Sequence, residues 1–228
     1  MFEREGVTKM KNYVKSFIEG VIPPHEFLAA TENNPEIFEW LQSVVPADKV
    51  FHKCRVHVND TGQNAHVIET VPYDVRLAVS TLRELCRGQT WCTYYYVHRE
   101  ISELWQTAFP HDDLVISESI KDRFFFELEA VPRYVGGKDI YKYGILDEII
   151  DALPRNRAEA ERKQMCRELV CKAFHLDETN PPLWRREAEW PLGVNHKPMK
   201  FLYQNEKEDK HVYYFEDVET GELKTVCQ

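Results

Sequence analysis

The fold is decided by a C-terminal stretch that opens with the hexapeptide MKFLYQ at residues 199–204. Its side chains alternate in character with the period of a β-strand, so Met199, Phe201 and Tyr203 are expected on one face. A second run follows at 211–216, and a Thr-Gly turn joins it to a third run at 223–228. The stretch therefore predicts a small antiparallel sheet.

The sequence upstream of this stretch predicts mainly helices. Residues 1–46 indicate three short helices, the third of which starts at Asn34, a capping residue, with Pro35 at its first position. The clearest helical spacing lies at 101–109, and a longer helix is indicated at about 157–176. Residues 50–70 fit either a hairpin, with its turn at 59–62, or an ordered loop. We predict an α+β protein with a mainly helical body and a small C-terminal antiparallel sheet.

The same patterns suggest three segments. Residues 1–46 form an N-terminal helical lobe, 47–180 a mainly helical body, and 181–228 the sheet, which packs on the body. The proline-rich joints near Pro154 and at 180–182 are short, so we expect turns inside one structural unit rather than flexible linkers.

Composition favours a cytoplasmic protein without nucleic acid as its partner. Hydrophobic residues make up 43% and charged residues 29% of the 228 residues, as in globular proteins. The N-terminus carries no signal-peptide pattern and no apolar run is long enough to cross a membrane, so we expect no membrane association. The net charge of −9 disfavours broad nucleic-acid binding, because backbone phosphates need Lys and Arg to neutralise them, and it favours a basic protein partner. The oligomeric state does not follow from the sequence.

The six cysteines are scattered and none forms a C-x-x-C pair. We expect reduced thiols, and Cys86, Cys166 and Cys171 fall in apolar helical patterns where a thiol acts as a small hydrophobic group.

No segment carries a catalytic or cofactor fingerprint, so we predict no catalytic residues, no cofactor and no bound metal. His52, Cys54 and His57, with His66 nearby, come nearest to a zinc cluster, but their spacing on an extended strand is poor. The two glycines Gly136 and Gly137 do not belong to the glycine pattern that cradles phosphate, so we interpret them as a turn.

Three aromatic residues near the C-terminus are the candidate partner-binding residues. Trp184, Trp190 and Tyr203 combine large apolar areas with polar tips, as interface anchors do. The alternative is that they clamp the sheet onto the helices.

The two chain ends resemble those of an uncharacterised bacterial cytosolic family that is loosely immunity-like. The resemblance rests on PLW at 182–184, EWPL at 189–192, KPMKFLYQ at 197–204 and FEDVETGE at 215–222, with NPEIFEWLQ at 34–42 in the opening. It implies a helical body with a terminal sheet and protein binding, as for proteins encoded near secreted toxins, and it brings no catalytic residue.

Two classes of function follow. The first hypothesis is a non-enzymatic cytosolic protein-binding protein of unknown partner, of the toxin-immunity type. The alternative is a small-ligand-binding protein or enzyme with a pocket between helices and sheet, using His98, Glu100 or Cys92.

Overall fold

The structure is a computed structural model that describes residues 2–58, 64–86, 89–207 and 210–228 of the chain. The side chains of residues 2–7, 52–58, 64–67 and 207 lie outside the description. Across the described ranges, no helix combines the length with the apolar composition that crossing a membrane requires.

The described ranges contain nine α-helices, two strands in the first half of the chain and three strands at its end. The helices are α1 (Phe2–Ile18), α2 (Pro24–Asn33), α3 (Pro35–Ser43), α4 (Val75–Cys86), α5 (Thr90–Ala108), α6 (Ser119–Ala130), α7 (Lys138–Lys142), α8 (Ile145–Asp151) and α9 (Glu159–Ala173). The strands are β1 (Val50–Val58), β2 (Asn64–Pro72), β3 (Lys200–Lys207), β4 (Lys210–Glu216) and β5 (Leu223–Cys227). The predicted α+β class is confirmed.

The chain forms two compact units. The first comprises the described residues up to Leu85 together with Thr93–Ile120, and the second comprises Cys86–Cys92 and Lys121–Gln228. The three segments expected from sequence, 1–46, 47–180 and 181–228, stay a prediction.

The first unit is built from α1–α4, most of α5 and the β1–β2 hairpin. The predicted start of α3 is confirmed, because the Asn34 side chain accepts a hydrogen bond from the backbone N–H of Glu36 at 3.0 Å. Its core lies where apolar helical faces meet, with Phe17, Ile101 and Leu104 at most 1% exposed. The strands pair antiparallel from Val50 opposite Pro72 to Val58 opposite Asn64, which is the strand pairing of the hairpin alternative over the described residues. The predicted turn at 59–62 lies outside the described residues.

The second unit packs α6–α9 and the C-terminal sheet around one core. The sheet has the order β3-β4-β5, with both pairs antiparallel. Tyr213, Phe215 and Phe174 are completely buried, and Trp190 is 2% exposed among them. The loops before α7 and before β3 both lead into residues of this core.

The predicted single face for Phe201 and Tyr203 is wrong. Phe201 pairs with Phe215, but Tyr203 pairs with Tyr214, because the register shifts between them. Neighbouring residues of β4 point to opposite faces, so this bulge moves Tyr203 away from the core. Phe201 is 9% exposed and Tyr203 is 49% exposed.

Candidate functional site: a cleft in the second unit

A cleft of about 560 Å³ lies between two loops of the second unit. One loop, 133–138, connects α6 to α7, and the other, 181–189, precedes β3. The Trp184 indole N–H donates to the Tyr134 carbonyl at 2.8 Å, and the Trp190 backbone N–H donates to the Gly136 carbonyl at 3.0 Å. These two hydrogen bonds fix one wall of the cleft relative to the other.

Gly137 permits the close approach of the two loops. Its φ of 132° and ψ of 156° fall in a region that only glycine occupies readily. A Cβ atom there would lie 3.0 Å from the Trp190 backbone nitrogen and 3.3 Å from the Ala188 carbonyl oxygen. The glycine pair interpreted as a turn is therefore also a point of contact between the walls.

Three cations line the cleft, and the described part of the chain gives none of them a carboxylate partner. Arg133, Lys138 and Arg186 are exposed, and none of them has a described carboxylate within ion-pair distance. Glu187 and Glu189 line the same cleft, so the cations outnumber the acids. The cleft can therefore offer unpaired positive charge to a ligand in a chain whose net charge is −9.

A smaller pocket of about 150 Å³ continues from the cleft. The two share Gln89, Arg133, Val135 and Tyr141 among their lining residues. Most of the remaining wall is apolar and comes from α6 and the residues that follow it. A ligand in the cleft can therefore extend one of its groups into this inner pocket.

Two polar groups in the inner pocket have no hydrogen-bond partner among the described residues. Burial raises the pKa of Glu127 to about 7; the negative charge of Asp147 adds to the rise, and Arg123 opposes it. Burial likewise raises the pKa of Tyr141. At neutral pH the phenol is protonated and the carboxyl group is protonated in a large fraction of molecules, so both can donate hydrogen bonds to a ligand.

The structure brings two of the three candidate partner-binding residues together. The rings of Trp184 and Trp190 lie 6.3 Å apart in an edge-to-face arrangement. Trp184 is half-buried and lines the cleft, whereas Trp190 belongs to the core and donates its indole N–H to the Met199 carbonyl at 2.8 Å. Tyr203 lies on the outer face of the sheet, stacked on Tyr214 at 4.5 Å. Partner binding by these three residues stays a prediction.

The residues considered for catalysis lie in different units. His98 and Glu100 belong to the first unit and Cys92 to the second. His98 is 4% exposed, its Nε2 lies 2.9 Å from the Ile18 carbonyl, and burial lowers its pKa. Burial alone would raise the pKa of Glu100, but hydrogen bonds from Tyr73 and Lys49 lower it below its usual value. Both side chains are thus engaged within the first unit.

The weak metal hypothesis falls on side chains outside the described residues. The backbones of His52, Cys54, His57 and His66 belong to β1 and β2, but the positions of their ring and thiol atoms are not described. Where side chains are described, no group of three or more His, Cys, Asp or Glu could hold a metal ion.

The sequence of α6 carries a signal for the inner-pocket residues. On α6, Ile120, Arg123, Glu127 and Ala130 follow one another at helical spacing, and the two apolar members are buried. A carboxylate on such a buried stripe is unusual and marks a position with a perturbed pKa. The walls at 133–138 and 181–189 had no comparable signal, because they meet only in the folded chain.

Comparisons of the chain with protein-family models, with curated proteins and with solved structures found no match.

Proposed function

We propose that the protein binds a small anionic ligand in the cleft between residues 133–138 and 181–189. One observation carries the proposal: Arg133, Lys138 and Arg186 line one concave site, and none of them has a carboxylate partner among the described residues. Positive side chains normally pair or stand free in solvent, and their concentration in a cleft raises the local concentration of anions. Guanidinium groups bind carboxylate, sulfonate and phosphate oxygens with two parallel hydrogen bonds.

The remaining lining supports a ligand that also has a planar apolar part. Trp184 and Tyr141 supply aromatic surface, and the inner pocket is walled mainly by apolar residues. Because the Tyr141 phenol and the protonated fraction of Glu127 can donate hydrogen bonds at neutral pH, a ligand with acceptor atoms at its inner end fits this pocket. An aromatic or heteroaromatic carboxylate, sulfonate or phosphate fits this description.

The test uses anilinonaphthalene sulfonate, a fluorescent aromatic anion, titrated into the folded protein. We expect the double substitution Arg133→Gln and Arg186→Gln to raise its Kd about tenfold, equivalent to about 1.4 kcal/mol. The matched control is Lys200→Gln with Lys224→Gln, which removes the same charge from exposed positions on the sheet. Equal affinities for both double variants would sink the proposal, provided that circular dichroism shows both to be folded.

A second candidate function is protein binding of the toxin-immunity type. The observation that favours it is the outer face of the C-terminal sheet, where Tyr203 and Tyr214 stack and Leu223 is 67% exposed. Aromatic and aliphatic groups of this kind act as interface anchors, and the net charge of −9 favours a basic partner.

Affinity purification from the host cell tests this second candidate. We expect a stoichiometric basic protein that is retained at low salt, released at high salt and lost with Tyr203→Ala. The control variant is Tyr143→Ala, an exposed aromatic position away from the sheet. A partner that binds both variants equally, or none at low salt, would count against it.

A further inference from the structure

Cys86 and Cys92 bring their sulfur atoms unusually close. Cys86 is the last residue of α4, and Cys92 lies in the first turn of α5. Their Sγ atoms are 2.9 Å apart, whereas a disulfide bond measures about 2.05 Å. A shift of less than about 1 Å separates this contact from a covalent bond. Both residues belong to the second unit.

We propose that Cys86 and Cys92 are an oxidative modification site that closes to an intramolecular disulfide. Neither cysteine forms a disulfide bond in this structure, and neither do Cys166, Cys171 and Cys227. None of those three is recorded in contact with another sulfur. The pair is therefore distinguished from the other described cysteines by geometry rather than by exposure.

The environment assigns different roles to the two thiols. Cys92 is half-buried and lines the inner pocket, so a small reagent can reach it from the cleft. Cys86 is 4% exposed and is reached through Cys92. The hydrogen bond to Cys86 and burial raise the pKa of the Cys92 thiol, which keeps that thiol protonated at rest.

The reaction is exchange with a low-molecular-weight disulfide such as oxidised glutathione. The Cys92 thiol loses its proton and its sulfur attacks the glutathione disulfide, which forms a mixed disulfide and releases one glutathione thiolate. The Cys86 sulfur, after losing its proton, then attacks the Cys92 sulfur and releases the second glutathione. The two cysteines lose two electrons and two protons in total, and oxidised glutathione takes up both to become two thiols.

Peptide mapping tests this directly, because the chain contains a tryptic site between the two cysteines. Trypsin cuts after Arg83, Arg87 and Arg99, so Cys86 falls in peptide 84–87 and Cys92 in peptide 88–99. The folded protein is equilibrated with oxidised glutathione, its remaining thiols are blocked, and the digest is analysed by mass spectrometry without reduction. We expect peptides 84–87 and 88–99 as one linked species that separates on reduction.

Three comparisons complete the test. Cys92→Ser and Cys86→Ser abolish the linked species, whereas Cys227→Ser, at an exposed thiol, leaves it at the wild-type yield. In denaturant we expect a lower yield of this linkage and the appearance of other pairs, such as Cys166 with Cys171, because only closeness in sequence then favours any pair. A glutathione adduct that stays on Cys92 in the folded wild-type protein, or a random mixture of pairs, would overturn the proposal.

Discussion

At the scale of single residues, Gly137 is a position where neighbouring backbone leaves little room for a side chain. An alanine there adds a Cβ atom at 3.0 Å from the Trp190 nitrogen and requires a conformation that only glycine adopts readily. Strain and overpacking together lead us to expect Gly137→Ala to lower the free energy of unfolding by about 3 kcal/mol, measured by urea denaturation. Gly144→Ala is the control: its φ is 65° with nothing within 4 Å, so we expect a loss of about 1 kcal/mol. Equal losses at both positions would contradict the close approach.

Glu127 makes the stability of the second unit depend on pH. Its folded-state pKa of about 7 lies above the ordinary value of 4.5. Between pH 4.5 and 7, the folded protein therefore keeps a proton on Glu127 that the unfolded chain has released. The stabilisation from protonation is complete below about pH 4.5 and is lost as the pH rises through 7. We expect the wild type to lose stability on the order of 3 kcal/mol over that range relative to Glu127→Gln, by urea denaturation at each pH.

The matched control for this pH dependence is Glu148→Gln, at an exposed carboxylate on α8. We expect that variant to keep the pH dependence of the wild type. If Glu127→Gln also kept the wild-type pH dependence, the Glu127 carboxyl group in the inner pocket would not be the source of that dependence.

At the scale of elements, β4 holds one wall of the cleft through the Tyr213 hydroxyl group. This hydroxyl donates to the Leu183 carbonyl and accepts from the Arg185 backbone N–H, both at 2.8 Å. Tyr213→Phe leaves both backbone groups without this partner, so we expect a loss of about 1–3 kcal/mol in the free energy of unfolding. Hydrogen exchange at the Arg185 amide should become faster. Tyr214→Phe, on the other face of β4, is the control that should leave the exchange unchanged.

Some elements of this chain could be predicted from the sequence and others could not. The helix α5 could be predicted because Ile101 and Leu104 repeat at the spacing of its buried face, and α3 because Asn34 and Pro35 mark its start. The position of Tyr203 could not be predicted, because a bulge adds one residue to the strand while the sequence still alternates between apolar and polar side chains. The cleft could not be predicted either, since its two walls are about 50 residues apart in sequence, as the Trp184 to Tyr134 hydrogen bond shows.

At the scale of the whole molecule, the second unit is built from two separate stretches of the chain, Cys86–Cys92 and Lys121–Gln228. The chain leaves the first unit after Leu85, contributes Cys86–Cys92 to the second, and returns for Thr93–Ile120 before the second unit is completed. Within the shorter stretch, the Trp91 indole N–H donates a hydrogen bond to Asp147 at 2.6 Å. The Arg123 guanidinium lies 5.2 Å from the Trp91 ring centroid and also binds Asp147 at 2.8 Å. Trp91 is therefore tied to Arg123 on α6 and to Asp147 on α8.

This chain path gives a test of whether the two units are energetically distinct. Trp91→Phe removes a hydrogen bond to a charged group, which costs about 2 kcal/mol, so we expect faster hydrogen exchange in α6 and α8. Trp40→Phe, in the core of the first unit, should instead accelerate exchange in α3 and α5, because Trp40 packs against Trp105 at 5.9 Å. Separate responses would mean that each unit opens on its own. If either substitution accelerated exchange equally in all of these helices, the chain would unfold as one cooperative body and the division into two units would describe contacts only.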